Sequence, residues 1–194
     1  MFLNSYFKLL LYYSSIMKRL FIAALKEEVP NLDFFHFTGV GKINATHAIT
    51  QLILKHQPEE IVNFGSVGSL NKELKGLIEV TKFYQRDMDV RGLMKLKLGE
   101  TPFDSIQEII TNDAGYSCGT GDSFVQSKIE MNVDVVDMEA YALAKICKLH
   151  NVDFKCFKFI SDNADENASS DWLENCKKGS QLFLEKAKNF SWVK

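Results

Sequence analysis

The chain has 194 residues, of which 46% are hydrophobic and 25% charged, with a formal net charge of -2. This is the length and balance of one ordinary globular domain with a sizeable core, which excludes wholesale disorder. A charge this close to zero, without blocks of like sign, gives no electrostatic reason to expect nucleic acid or an anionic membrane as partner.

The apolar stretch from Phe2 to Tyr13 looks superficially like a secretory leader. It lacks a basic segment before the apolar run and a small-x-small cleavage site, and it is too short to span a bilayer. Met17 is followed at once by Lys18-Arg19-Leu20-Phe21-Ile22-Ala23, which reads as the start of a core. Residues 1–16 are therefore expected to be an N-terminal extension, and residues 17–194 the domain.

Along that domain, residues 20–25 read as the first strand and 34–40 as the second, despite Gly39. Residues 43–56 carry apolar side chains at helical spacing, and 61–64 form a short buried strand that ends in Gly65-Ser66-Val67-Gly68. Residues 76–80 lead into a strand at 81–85, and residues 86–102 read as loop and turn. Residues 106–111 and 119–125 add strands, 136–149 a strong helix and 154–160 a further strand. A last helix opens near Asp171, with Glu174 three residues on, and runs to about Lys188. Its candidate core residues are Trp172, Leu173, Leu182, Phe183 and Ala187. Apolar runs alternating with helical periodicity indicate an α/β fold with a largely parallel or mixed sheet.

The four cysteines form no C-x-x-C pair and no zinc-spaced set, so small buried thiols in a reducing cytoplasm are expected. His36, His47, His56 and His150 do not cluster in sequence and read as structural or surface residues. No G-x-S-x-G elbow and no Cys/His nucleophile pattern is present. No metal and no cofactor is expected.

Unusual residues gather at four strand ends, Lys26-Glu27-Glu28, Gly65-Ser66-Val67-Gly68, Gly121-Asp122-Ser123-Phe124 and Ser161-Asp162, where α/β folds place their sites. Gly39-Val40-Gly41-Lys42 fits either a tight turn or an anion-binding helix start. Gly65-Ser66-Val67-Gly68 fits a tight turn or a ligand-holding one. Asp137 and Glu139 fit acids at a helix start or site carboxylates. Asp162 follows an apolar strand, where it is either partly desolvated and suited to general-acid work or the start of an Asx-type turn.

Taken in chain order, Ala24-Leu25-Lys26-Glu27-Glu28-Val29, Gly39 to Ala45, Asn63 to Gly68, Gly121-Asp122-Ser123-Phe124, Val136 to Ala140 and Ile160-Ser161-Asp162 resemble the nucleoside phosphorylase/nucleosidase superfamily. The nearest match within it is the methylthioadenosine/S-adenosylhomocysteine nucleosidases. The resemblance implies a three-layer α/β/α domain with a central mixed sheet. It implies a homodimer that hydrolyses the N-glycosidic bond of a purine nucleoside, with a small molecule as its other partner. On that resemblance Asp162 acts on N7 of the leaving purine, supported by Ser161, and Glu28 activates the water. Glu139 binds the ribose hydroxyls while Met138 packs on the sugar, and Ser66 and Val67 form the turn beside water and ribose. Phe124 stacks on the base, the backbone of Val125 reads its edge, and Trp172 sits against the base or the 5′ substituent.

Asn63 stands where phosphorylases of the superfamily carry a phosphate-binding arginine, and Lys26-Glu27-Glu28 replaces their phosphate loop, which favours water as nucleophile. Arg86 is the one loose basic residue that would favour phosphate. A phosphorylase, or a non-catalytic nucleoside-binding protein, are the alternatives. Only ten residues separate Glu28 from Gly39, fewer than the family's longer hairpin-containing segment, and residues 86–102 lack its usual wording.

Overall fold

The computed structural model describes residues 18–162 and 172–193, without the side chains of Trp172 and Leu173. The expected N-terminal extension, the residues after Asp162, the cap at Asp171 and the placement of the Trp172 ring lie outside the described residues. Eight strands form one mixed sheet: β1 Arg19–Ala23, β2 Phe35–Phe37, β3 Glu60–Ser69, β4 Leu77–Gln85, β5 Glu108–Ile110, β6 Tyr116–Thr120, β7 Val135–Asp137 and β8 Asp153–Asp162. The helices are α1 Lys42–His56, α2 Ala140–His150 and α3 Trp172–Asn189. A 3-10 turn spans Lys26–Glu28.

Strand alternation sorts the core into two sides. Ile22, Ile61, Phe154 and Cys156 join Ala45, Ile49 and Ile53 of α1 and Leu143, Ala144 and Cys147 of α2. Phe21, Val62, Phe64 and Phe157 point the other way and meet Phe183 and Ala187 of α3. Phe183 is fully buried among the rings of Phe21, Phe35, Phe64 and Phe157. Burial of one such side chain stabilises the fold by about 1.5–3 kcal/mol.

The topology folds back on itself. β3 pairs β8 in parallel along nearly its whole length and pairs β7 antiparallel at its far end. β7 continues in parallel to β6, β6 to β4, and β4 returns antiparallel to β8. Five strands thus close a ring, and β2 with β1 and β5 extend it on either side. Residues 86–102 hold no strand or helix, as expected, and the strand expected at 106–111 keeps only Glu108–Ile110.

Four local expectations are corrected. The Gly65-Ser66-Val67-Gly68 run is not a turn after a strand but lies inside β3, with the register shifting between Val67 and Gly68 opposite β8. The helix predicted from 136 begins at Ala140, because Val135, Val136 and Asp137 are claimed by pairing with β3 and β6. The strand predicted at 119–125 stops at Thr120, and the second strand keeps only Phe35–Phe37. His36 and His56, distant in sequence, lie with ring centroids 5.5 Å apart.

Candidate active site

Glu28, on the 3-10 turn after β1, is 5% exposed and carries four hydrogen bonds. Its Oε1 accepts from the backbone N–H of Ser66 at 2.8 Å and from the Ser66 hydroxyl at 2.9 Å. Its Oε2 accepts from the N–H groups of Ala24 and Leu25 at 3.1 and 3.2 Å. A carboxylate with both oxygens bound this way is fixed in one orientation. Gly65 makes the approach possible: a Cβ there would sit 3.1 Å from Glu28 Oε1.

The second carboxylate group forms where β7 runs into α2. Asp137 accepts from the Thr120 hydroxyl at 2.6 Å and caps α2 by accepting from the Ala140 N–H at 2.9 Å. The Thr120 oxygen in turn accepts from the Tyr141 N–H. Lys158 of β8 pairs with Asp137 at 2.9 Å, both buried. Burial opposes the charge on Asp137, yet Lys158, Thr120 and the Ala140 N–H together hold its pKa below the ordinary value. Glu139, 7% exposed, accepts from the Gly41 N–H at 2.8 Å. Its pKa is raised to about 7, first by burial and then by the Asp137 charge, against the pull of Lys158 and the Gly41 N–H.

Asp162 closes β8. The Ser161 hydroxyl donates to Asp162 Oδ2 at 2.6 Å and also lies 3.2 Å from the carbonyl of Val67. A cavity of about 210 Å³ joins these elements. Glu28, Ser66 and Val67 line it from one side, Met138 and Glu139 from a second, and Ser161 and Asp162 from a third. Phe124, more than half exposed, and Val125 line its rim. The sequence-predicted residues among those described therefore converge on one pocket, brought there from positions more than 130 residues apart.

Three further features were not anticipated. Val40 and Leu25 add apolar wall. Arg86 is not loose but lines the pocket, its guanidinium donating to the Gly121 carbonyl at 3.2 Å and to the Ser123 hydroxyl and carbonyl, so it braces the loop before Phe124. Its Nε is buried without a partner among the described residues. Lys158 carried a signal in the sequence, a lysine between Phe157 and Phe159 in a buried strand. Among the described residues no group of three or more His, Cys, Asp or Glu is placed to hold a metal.

The start of α1 decides between turn and anion site. Gly41 has φ +91°, a left-handed conformation that favours glycine, and a Cβ there would meet Asp122 Oδ1 at 3.1 Å. Two of the N–H groups that open the helix are already taken: Gly41 by Glu139, and Lys42 by Asp122 Oδ1 at 2.7 Å. The protein's own carboxylates fill the place that a phosphate would take.

The chain is 31% identical over 178 residues to the 5′-methylthioadenosine/S-adenosylhomocysteine nucleosidase of Haemophilus influenzae strain PittEE, covering 76% of this chain and 77% of that one. The chain belongs to this nucleosidase family. Its relative from Buchnera aphidicola subsp. Schizaphis graminum is 33% identical over 167 residues, covering 73% and 71%. Residues 117–190 match the family model described as the Phosphorylase superfamily. The fold agrees with that of a Helicobacter pylori MTAN mutant solved with 5′-methylthioadenosine in its active site (TM-score 0.78, 22% identity, 90% of this chain and 99% of that one). It agrees equally with a futalosine hydrolase of the same organism (TM-score 0.78, 21% identity, 89% and 98%).

Proposed function

We propose that this protein hydrolyses the N-glycosidic bond of a purine nucleoside of the methylthioadenosine and S-adenosylhomocysteine class, releasing the free base. The observation that carries the reading is the Glu28 carboxylate, held at the pocket by four hydrogen bonds where an activated water is needed. Water, its proton drawn toward Glu28, attacks the anomeric carbon as the bond to the purine breaks. Asp162, aided by Ser161, gives or shares a proton at N7, so the base departs neutral. Negative charge at Glu139 stabilises the oxocarbenium-like sugar and, with a pKa of about 7, this group also shares a proton with a ribose hydroxyl. Met138 packs on the sugar, Ser66 and Val67 sit beside water and ribose, Phe124 stacks on the base, and the backbone of Val125 reads its edge.

A phosphorolytic reading draws on Arg86 alone. The engagement of Arg86 with Gly121 and Ser123 speaks against it, and so do the carboxylates that close the α1 N-terminus. Incubation with methylthioadenosine, S-adenosylhomocysteine, futalosine and inosine, with and without phosphate, tests the proposal. Base and free ribosyl product at equal rates in both media is the expected result. Release that requires phosphate and yields a ribosyl 1-phosphate overturns it.

Two wider readings belong to the same proposal. Helices α1 and α2 against one side of the sheet and α3 against the other support a three-layer α/β/α arrangement. Exposed Phe37, Val40 and Ile43 beside the pocket support a homodimer, which sedimentation measures directly. Its expected setting is the cytoplasm.

A further inference from the structure

The rim of the pocket that carries Phe124 and Val125 is its least regular part. β6 stops at Thr120, β7 begins at Val135, and residues 121–134 between them hold no strand or helix. Phe124 is 58% exposed, so packing does not fix its ring. Neither Phe124 nor Val125 makes a backbone hydrogen bond among the described residues. A ring and a backbone edge that receive a ligand from such a loop depend on the residues just before them.

Those residues are held from one place. Arg86 and Asp87 follow the end of β4 at Gln85. The Arg86 guanidinium donates to the Gly121 carbonyl and to the Ser123 hydroxyl, each at 3.2 Å, and to the Ser123 carbonyl. Asp87 accepts from the Asp122 N–H at 2.9 Å and pairs with Lys42, whose own N–H binds Asp122. Burial opposes the charge on Asp87, yet Lys42 and the Asp122 N–H hold its pKa below the ordinary value. Three consecutive loop residues are thus fixed, carbonyls by a cation and an N–H by an anion, and the hold ends at the residue before Phe124.

The residue types are matched to this task. A guanidinium presents its donors in a rigid planar fork and meets two carbonyls at once, whereas an ammonium is a point charge on a flexible stem. The loop lies close enough only because it has no side chain there: a Cβ on Gly121 would sit 2.8 Å from Arg86 Cζ and 3.0 Å from Asp87 Cγ. Arg86 Nε is left buried without an acceptor among the described residues, a cost that an apolar side chain would not carry. What the fork holds accounts for the arginine better than the stability of the fold does.

We infer that Arg86 is the positioning residue for base recognition: clamped over Gly121 with Asp87 beside it, it presets Phe124 and the Val125 backbone where the purine is received, and acts through them. This rests on the reading of Phe124 and Val125 as the base-binding pair. A loop ordered before substrate arrives need not be ordered on binding, and the gain is the same in the ground state and the transition state. Its loss therefore raises KM more than it lowers kcat.

Two variants test it. Arg86→Met removes the fork and keeps an apolar stem, while Gly121→Ala keeps the arginine and displaces it. Calorimetry with adenine and hypoxanthine, and steady-state base release from methylthioadenosine, are measured on each. The Kd of the tighter-bound base should rise by about fivefold or more, and KM should rise by a larger factor than kcat falls. A folded variant with a smaller rise in Kd, or with a fall in kcat that exceeds the rise in KM, overturns the inference. If Arg86→Met fails to fold, Gly121→Ala decides on the same criteria. An arginine with a merely structural role would lower the thermal midpoint and leave base affinity, measured well below that midpoint, unchanged. In a Phe124→Ala background, Arg86→Met should raise Kd by no more than about half the factor seen in the parent, and a larger effect there overturns action through Phe124. A parent that binds a base but cleaves no nucleoside sinks the hydrolytic reading while base affinity still judges Arg86, and a parent that binds neither base overturns both.

Discussion

Glu28→Gln is the sharpest perturbation of this site, because it changes one atom in a group whose every contact is known. Ser66 donates twice to Oε1, and Ala24 and Leu25 donate to Oε2. A carboxylate accepts at both ends, whereas an amide accepts at one and donates at the other. Whichever end keeps the oxygen, the amide NH₂ faces two donors, so two bonds are lost. The site is 5% exposed, so water does not replace them. Hydrogen bonds to a charged group contribute about 1.5–3 kcal/mol each, and rotation of the Ser66 hydroxyl recovers part of this, leaving a loss of about 3 kcal/mol. In a domain of this size that lowers the thermal midpoint by roughly 6–12 °C. Turnover should fall further than stability suggests, by about 10²–10⁴-fold, since the water also loses its base. Calorimetric melting and steady-state base release measure the two effects. A variant that melts within about 2 °C of the parent and turns over within threefold would show that Glu28 is neither held nor used as described.

Two further outcomes follow from the other carboxylates. Glu139 has a folded pKa of about 7 against an ordinary 4.5, so the folded state binds its proton more tightly than the unfolded chain does. Its stabilising contribution is complete below about pH 4.5, is lost as pH rises through 7, and amounts to about 3 kcal/mol. The stability difference between the parent and Glu139→Gln, from urea melts across that window, should therefore shrink with rising pH, and a flat difference would contradict the assignment. Asp162→Asn keeps an acceptor for the Ser161 hydroxyl, so stability should change by less than about 1 kcal/mol while turnover drops by about 10²-fold or more. Calorimetry on a substrate-like nucleoside should still show binding, and unchanged turnover would remove Asp162 from the chemistry.

The parts of this site that the sequence disclosed are those where a polar residue interrupts a buried run. Glu28, Glu139 and Asp162 each follow an apolar strand, and burial beside such a strand is costly without a purpose. What misled the reading was glycine and brevity. Gly65 and Gly68 look like turn residues, but in β3 the absent side chain of Gly65 makes room for Glu28 and Lys158, a reason that exists only in three dimensions. β7 is three residues long and only Met138 and Glu139 separate it from α2, with no glycine or proline between them, so periodicity merges the two. The closure of five strands into a ring leaves no local trace, since it depends on pairings between strands far apart in the chain. Arg86 shows the converse: its type was noticed, but its place depended on Gly119 and Gly121 leaving room for its side chain.

The ring has a consequence beyond the pocket. Strands that end a sheet expose unpaired peptide groups, which recruit further strands from other molecules. Among the described residues this sheet ends on β2 and β5, each three residues long, while β1 is paired on both sides and the other strands are paired within the ring. Two such short borders give an incoming chain little to zip onto. A second copy would therefore meet this one through side chains on its outer surfaces, and the molecule can carry an apolar patch beside its pocket without inviting fibrous growth.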